Sequence, residues 1–243
     1  MMNKGQDSFD VSRRAFLGAG ITVSMGLMLS GCGVLAKRDA SAEVGATPVT
    51  SPEQALQRLQ EGNRRFTAGK SLHPGLTSAR LQETAKGGQH PFVTILGCSD
   101  SRVPPEAIFD QGVGDLFVVR VAGNVADTDE IATAEYGCGH LGTPLLVVMG
   151  HTKCGAVTAV VKGEKVGGSL PQLVDNIVAP VKRAKATKLE GDALIDAAIR
   201  ENVRQSMSDL QKKSKELNHL VHEGKLKVVG AIYHIDSGAV EWI

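Results

Sequence analysis

Two short stretches of this 243-residue chain concentrate side chains that can bind a metal ion. In GCSDSR, Cys98, Asp100 and Arg102 crowd together directly after an apolar run, and in GHTKC, His151 and Cys154 follow another. Three ligands that include two thiolates suit zinc, and they leave the fourth tetrahedral position open, as a catalytic zinc requires. The residues therefore predict a catalytic zinc centre formed by Cys98, His151 and Cys154.

Other protein classes explain only part of this pattern. A lone cysteine is usually a small buried apolar residue, and a lone histidine usually makes an ordinary hydrogen bond. A zinc-storage protein without turnover would explain the ligands but would leave Asp100 and Arg102 without a purpose. A thiol redox protein would use Cys98 and Cys154, yet these do not form a Cys-x-x-Cys pair, and His151 would have no role. Cys138 has no partner at ligand spacing and is predicted to be a buried structural thiol.

The elements that must position these residues alternate along the chain. Four apolar runs rich in β-branched residues are predicted to be strands buried on both faces: FVTILG (92–97), DLFVVRV (115–121), PLLVVMG (144–150) and KVVGAIYHI (227–235). Helical patterns lie between and before them, including a helix capped by Ser51 and a long run that begins GDALIDAAIREN. This alternation predicts an α/β fold with a mostly parallel β-sheet core flanked by helices.

The two candidate ligand stretches follow the first and third predicted strands. In open α/β sheets, binding sites lie beyond the carboxyl ends of the strands. Neighbouring strand ends would therefore bring Cys98 and His151 together in space, although they are far apart in sequence.

Composition limits the partners. The chain is 42% hydrophobic and 22% charged, with a formal net charge of +1, which is typical of a globular protein with one sizeable core. A balanced charge offers no broad basic surface for a phosphate backbone. We therefore expect no nucleic-acid partner.

The first 31 residues are predicted to be an export signal. Arg13 and Arg14 precede an apolar run, 16–30, that is short for a membrane-spanning helix, and this order resembles a twin-arginine signal. The following LSGC resembles a lipobox that ends at Cys32, the predicted lipidation site. Cleavage after Ala42 is the alternative. The chain is thus expected to be exported, periplasmic and anchored to a membrane only through this lipid.

Residues 32–50 are small and polar, and they are predicted to form a flexible tether before a domain that spans 51–243. With Cys32 lipidated and Cys98 and Cys154 bound to metal, no cysteine pair is left for a disulfide. This is unusual for an exported chain, but it agrees with folding before export.

The combination of CSDSR and HTKC resembles the β-class carbonic anhydrases, and the likeness extends over about 54–236. The resemblance implies one Zn²⁺ per subunit, bound by Cys98, His151 and Cys154, and an aspartate–arginine dyad at Asp100 and Arg102. It also implies reversible hydration of CO2 to bicarbonate and a proton, by attack of zinc-bound hydroxide on CO2. The domain 51–243 would then be a carbonic anhydrase domain.

A substrate pocket is also implied by the plant-like, open-site branch of that family. Its glutamine, phenylalanine and tyrosine match Gln89, Phe117 and Tyr136, and Gly155 beside the last ligand belongs to the same pocket. In that branch the first three residues come from the partner subunit, which implies a homodimer or a dimer of dimers. The same branch implies that Asp100 faces Arg102 and leaves the fourth zinc position open.

The chain departs from the family pattern after the second strand. It has RVAGN, with Val121 and Ala122 in place of larger or polar pocket residues, so we expect a slightly wider pocket. A shifted glutamine, Gln111, receives no role. Three further histidines, His73, His90 and His140, are expected to be ordinary surface residues rather than proton shuttles.

Overall fold

A five-stranded sheet forms the centre of the fold in the computed structural model, which describes residues 48–243. Its strands are β1 (Val93–Cys98), β2 (Leu116–Val121), β3 (Leu145–His151), β4 (Lys227–Tyr233) and β5 (Val240–Trp242). They lie in the order β2-β1-β3-β4-β5, and only β5 runs antiparallel to its neighbour. The predicted α/β fold with a mostly parallel sheet is confirmed. The predicted export signal, Cys32 and the tether up to residue 47 lie outside the described residues.

The strand order places a crevice between β1 and β3. The chain passes from β1 to β2 on one side and then crosses to β3 on the other side of β1. At such a reversal, the connections that leave the two central strands diverge, and they open a space beyond the carboxyl ends. Cys98 is the last residue of β1, and His151 is the last residue of β3.

Helices cover both faces of this sheet. They are α1 (Pro52–Thr67), α2 (Ser78–Gly87), α3 (Pro105–Ile108), α4 (Thr128–Glu135), α5 (Gly155–Lys162), α6 (Leu170–Lys185), α7 (Gly191–Lys213) and α8 (Lys215–His222). The predicted cap of α1 is present, because the Ser51 side chain accepts a hydrogen bond from the backbone N–H of Gln54. Among residues 48–243, none of these helices is both long and apolar enough to cross a membrane.

Two apolar clusters form the core, one on each face of the sheet. Alternating residues of β1 divide between them: Val93 and Ile95 pack with α1, whereas Leu96 and Cys98 belong to the cluster that includes α6 and α7. Strands β1 and β3 are buried throughout, as their continuous apolar runs predicted. β2 is the edge strand and is only partly buried, so the prediction of burial on both faces is wrong for this strand within one chain.

The long helical run after residue 191 is divided at one residue. Ser214 adopts extended backbone angles (φ −100°, ψ 116°), and its side chain accepts a hydrogen bond from the backbone N–H of Leu217 at 3.0 Å. The Ser214 hydroxyl also donates to Oε1 of Glu135 at 2.6 Å. Serine competes well for helix N-caps, so it ends α7 and starts α8 with the help of a carboxylate from α4.

Candidate metal centre and active site

The structure brings Cys98, His151 and Cys154 together. One ligand atom from each residue lies within 4.8 Å of the other two, and the exposed fractions of these residues are 5%, 0% and 1%. The first two residues end adjacent strands, while Cys154 precedes the first turn of α5. The distant stretches of sequence therefore meet in one buried cluster, as the strand pattern required.

The histidine of this cluster has a ring nitrogen with no hydrogen-bond partner. Nδ1 of His151 donates to the carbonyl oxygen of Thr152 at 2.9 Å, which leaves Nε2 as the nitrogen with a free lone pair. This Nε2 is buried and unpaired within the described chain. A buried polar atom without a partner is costly, and a metal ion among two sulfurs and this nitrogen would satisfy it. The donor set therefore fits zinc.

The two thiols of the cluster share one readily formed negative charge. The thiol of Cys154 donates to Cys98, and the N–H of Gly123 also donates to Sγ of Cys98 at 3.3 Å, so the pKa of the Cys98 thiol lies well below its usual value. The same thiol–thiolate hydrogen bond, together with burial, raises the pKa of Cys154. A divalent cation bound here would favour the thiolate form of both residues.

A carboxylate stands beside the cluster, held by an arginine. Nε of Arg102 donates to Oδ1 of Asp100 at 2.9 Å, and Nη2 donates to Oδ2 at 2.7 Å. This two-point hydrogen bond holds the pKa of the Asp100 carboxyl well below its usual range. Oδ2 of Asp100 is 3.9 Å from Nε2 of His151. The structure therefore places an ionised acceptor next to the candidate metal ligands.

Residues that the sequence analysis did not single out hold this region in place. Arg120 donates to the carbonyl oxygens of Cys98 and Asp100, at 2.9 and 2.7 Å. Nδ2 of Asn202 in α7 donates to the Gly123 carbonyl at 2.6 Å, which steadies the turn whose N–H reaches Cys98. Arg120 could have been identified from the sequence, because it is a charged residue inside an otherwise apolar strand. Nothing in the local sequence pattern pointed to Asn202.

Three of the four predicted substrate residues lie away from the cluster of their own chain, and only Gly155 adjoins it. Phe117 is in register with Thr94, four residues before Cys98, which places it roughly 13 Å down the sheet. Its ring is 5.8 Å from the ring of Tyr136. Gln89 is exposed in the segment that leads into the opposite end of β1. The structure thus brings Phe117 and Tyr136 together, but not with the candidate metal ligands of the same chain.

Local backbone structure sets the place of Tyr136. The residue begins a short π-helical turn, Tyr136–His140, that follows α4. The next residue is Gly137, where a side chain would collide with Thr94 and Phe117. Glycine therefore lets the turn approach β1 and β2 closely enough for the two rings to meet. Gly155 lies at the start of α5 beside Cys154, and a Cβ there would meet nothing within 4 Å.

The remaining candidates lie outside the cluster. Cys138 is buried, and burial raises the pKa of its thiol. Gln111 is buried, and it bonds to Arg58 and the Phe109 carbonyl. The three histidines singled out in the sequence are exposed: His73, His90 and His140, the last of which stacks on Tyr136 with ring centroids 4.8 Å apart.

Comparison with known proteins agrees with this geometry. A sequence model described as carbonic anhydrase matches residues 93–240. Carbonic anhydrase 2 of Mycobacterium tuberculosis is 37% identical over 195 residues, which cover 79% of this chain and 92% of that protein. The structure of the β-carbonic anhydrase CcaA aligns with a TM-score of 0.61 and 34% identity, over 77% of this chain and 94% of the other.

A second solved structure shares the fold at lower identity. It belongs to one of two tetrameric β-carbonic anhydrases from Sordaria macrospora and aligns with a TM-score of 0.61 and 24% identity, over 77% of this chain and 96% of its own. The family match, the identity to the M. tuberculosis protein and the shared fold all lead to one assignment. This chain is an enzyme of the β-class carbonic anhydrase family.

Proposed function

We propose that this chain is a zinc enzyme that interconverts CO2 with bicarbonate and a proton. The observation that carries the proposal is the buried Cys98, His151 and Cys154 cluster, whose unpaired Nε2 lies 3.9 Å from an arginine-held carboxylate. Zinc held by these residues would supply hydroxide near neutral pH, because a bound zinc ion lowers the pKa of water to roughly 7 in favourable sites. The three residues would hold one Zn²⁺ per subunit.

Asp100 directs the attack on CO2. The Asp100 carboxyl is ionised at neutral pH, and the hydrogen bonds from Arg102 lower its pKa further, so it can accept a hydrogen bond but cannot donate one. Asp100 would accept a hydrogen bond from the attacking hydroxyl. This hydrogen bond would turn a lone pair of the hydroxyl oxygen toward the carbon of CO2. Arg102 acts through Asp100, since its guanidinium nitrogens Nε and Nη2 both bond to that carboxylate.

The substrate pocket is proposed to be shared between two subunits of a homodimer or a dimer of dimers. Phe117 and Tyr136 form an aromatic pair that lies far from the metal ligands of the same chain, and Tyr136 is 45% exposed. An apolar wall suits an uncharged linear substrate, and the Gln89 side chain can donate to a bicarbonate oxygen. Gly155, beside Cys154, leaves the space in which the partner's residues would meet the metal centre.

Metal analysis combined with a CO2 hydration assay tests the proposed function. We expect one zinc per subunit and rapid turnover. Zinc without turnover would identify a zinc-binding or storage protein instead. A metal-free protein that cycles between dithiol and disulfide would identify a redox protein.

Mixing two inactive variants tests the shared pocket. Cys98→Ala removes a metal ligand, and Phe117→Ala removes part of the aromatic pair. In a mixed dimer one site would combine the intact metal centre of one chain with the intact pocket of the other. Refolding the two variants together should restore up to about a quarter of wild-type turnover, because half of the dimers are mixed and half of their sites are intact. No restoration, or full activity in a verified monomer, would contradict a shared site.

We also propose that residues 1–31 direct export and that Cys32 becomes the lipid-modified first residue of a periplasmic protein. Twin arginines, a short apolar run and LSGC support this. Mass spectrometry of the mature protein from a bacterial membrane fraction should show a lipid-modified N-terminal Cys32. Cys32→Ser should release the enzyme from the membrane without changing turnover. A mature chain that begins at Glu43 would support cleavage after Ala42 instead.

A further inference from the structure

Arg120 contacts the segment that carries both a metal ligand and the dyad carboxylate. It lies on the edge strand β2, opposite Gly97 in the register with β1. Its guanidinium extends past the end of β1, where Nε donates to the Cys98 carbonyl at 2.9 Å and Nη2 donates to the Asp100 carbonyl at 2.7 Å. Hydrogen bonds from a charged donor are short and strong compared with neutral ones. One side chain therefore holds the backbone on both sides of Ser99.

Within residues 48–243, two backbone hydrogen bonds beyond the end of β1 also hold this short segment. The backbone N–H of Ser99 donates to the Val121 carbonyl at 3.2 Å, and that of Val103 donates to the Asp100 carbonyl at 3.0 Å. The Asp100 side chain itself is held by Arg102, which is half exposed. Arg120 is thus the side chain that fixes the main chain beneath the carboxylate, while Arg102 fixes the carboxylate.

The position of that main chain matters because the carboxylate stands close to the metal ligands. Oδ2 of Asp100 lies 3.9 Å from Nε2 of His151. A shift of the Asp100 backbone by a fraction of an ångström would change this distance, and it would also alter the angle of the two hydrogen bonds from Arg102. Misplacement of about 1 Å can cost roughly a hundredfold in rate when a group must orient a reacting atom.

We propose that Arg120 is a positioning residue of this active site. It fixes the backbone from Cys98 to Asp100, so that the carboxylate keeps its place between Arg102 and the metal ligands. The inference rests on the proposed function, because it concerns the geometry of the same centre. Arg120 acts only through the two carbonyls that it contacts.

Arginine suits this role in a way that lysine does not. A guanidinium presents several N–H donors in a rigid plane, so Nε and Nη2 can reach two carbonyls at once. An ammonium group is a compact charge on a flexible chain, and it would hold one carbonyl at a time. Arg120→Lys therefore keeps the charge and most of the side chain while removing the two-point contact.

Arg120→Lys and Arg120→Ala in the full-length enzyme, with Arg80→Ala as a control, test the inference. Arg80 also donates to a backbone carbonyl, that of Val113 at 2.9 Å, and bonds to the Asp115 carboxylate at 3.2 Å, just before the start of β2 and so at the opposite end of that strand from the ligand cluster. Each protein would be reconstituted with zinc and compared by zinc content, melting temperature, CO2 hydration kinetics and zinc X-ray absorption.

We expect Arg120→Lys to retain one zinc per subunit and to melt close to the wild-type temperature. Its kcat should fall at least tenfold while KM changes little, since orientation rather than binding is lost. The zinc X-ray absorption spectrum of this variant should show a change in the number or the distances of the oxygen and nitrogen atoms around the zinc. Arg120→Ala should show a larger loss of kcat, and Arg80→Ala should match the wild type in zinc content, kcat and zinc X-ray absorption.

The inference would be overturned if Arg120→Lys had the kcat of the wild type and the same zinc neighbours by X-ray absorption. This holds whether or not Arg120→Ala folds. An equal loss of kcat in Arg80→Ala would also overturn it, because the effect would then be a general one of removing a surface arginine. A wild-type enzyme that binds zinc but shows no CO2 hydration would contradict the proposed function, while the zinc shell of Arg120→Lys would still decide the role of Arg120. Failure of the wild type to bind zinc would contradict both.

Discussion

Replacing His151 by alanine is expected to abolish zinc binding and CO2 hydration together, and so is replacing Cys98 or Cys154. Each residue supplies one of three buried ligand atoms that lie within 4.8 Å of one another. A three-ligand site has no redundancy, so two remaining ligands should not retain the ion through dialysis. Elemental analysis and stopped-flow CO2 hydration on the purified variants measure the two losses.

Cys138→Ala is the matched control for the two cysteine variants. Cys138 is also a buried cysteine, but it lies outside the cluster and contacts Thr143. We expect this variant to keep one zinc per subunit and wild-type turnover, although the lost packing should lower its stability somewhat. Stoichiometric zinc in any of the three ligand variants would argue against that residue as a ligand.

Arg102→Ala should retain zinc and lose turnover by about a hundredfold or more, because the carboxylate that orients the attacking oxygen would no longer be held. The ionisation of Asp100 is not what would be lost. Without Arg102, its pKa would return toward the usual value of about 3.9, so the group would stay ionised at neutral pH. The freed carboxylate should instead move toward the metal ligands, since its Oδ2 already lies 3.9 Å from Nε2 of His151.

Zinc X-ray absorption on the wild type, on Arg102→Ala and on the double variant with Asp100→Ala follows this movement. We expect a carboxylate oxygen in the zinc shell of Arg102→Ala only. The double variant should lose that oxygen without regaining turnover, because the orienting hydrogen bond is still missing. A carboxylate ligand already present in the wild type would contradict the open arrangement, and unchanged turnover in Arg102→Ala would contradict the role of the dyad.

The grouping of Cys98, His151 and Cys154 could be predicted from short stretches of sequence because each stretch lies at the end of a strand. An apolar run that stops at Cys98, and another that stops before His151, indicated two strand ends with soft ligands. Side chains close in sequence, such as Asp100 and Arg102, also met as expected, with nitrogen–oxygen distances of 2.9 and 2.7 Å. Local periodicity and capping likewise predicted β1, β3 and α1.

Other features depended on contacts between residues far apart in the chain, which no local pattern reveals. β5 has only three residues, too few for a periodic signal, and it exists because β4 offers a partner edge. The long helical run stops at Ser214, where the Glu135 carboxylate, 79 residues away in sequence, accepts a hydrogen bond from the serine hydroxyl. The strand order left β2 at the edge of the sheet.

The tertiary structure also decided what supports the candidate metal ligands and where the predicted pocket residues lie. Arg120 reaches Cys98 from the neighbouring strand, and Asn202 reaches Gly123 from a helix on one face of the sheet. The register of β1 with β2 puts Phe117 beside Thr94 rather than beside Cys98. The sequence by itself determined the donor atoms, because chemistry depends on residue type. The fold decided their distances and supports, because hydrogen bonds and strand register form only when distant segments pack together.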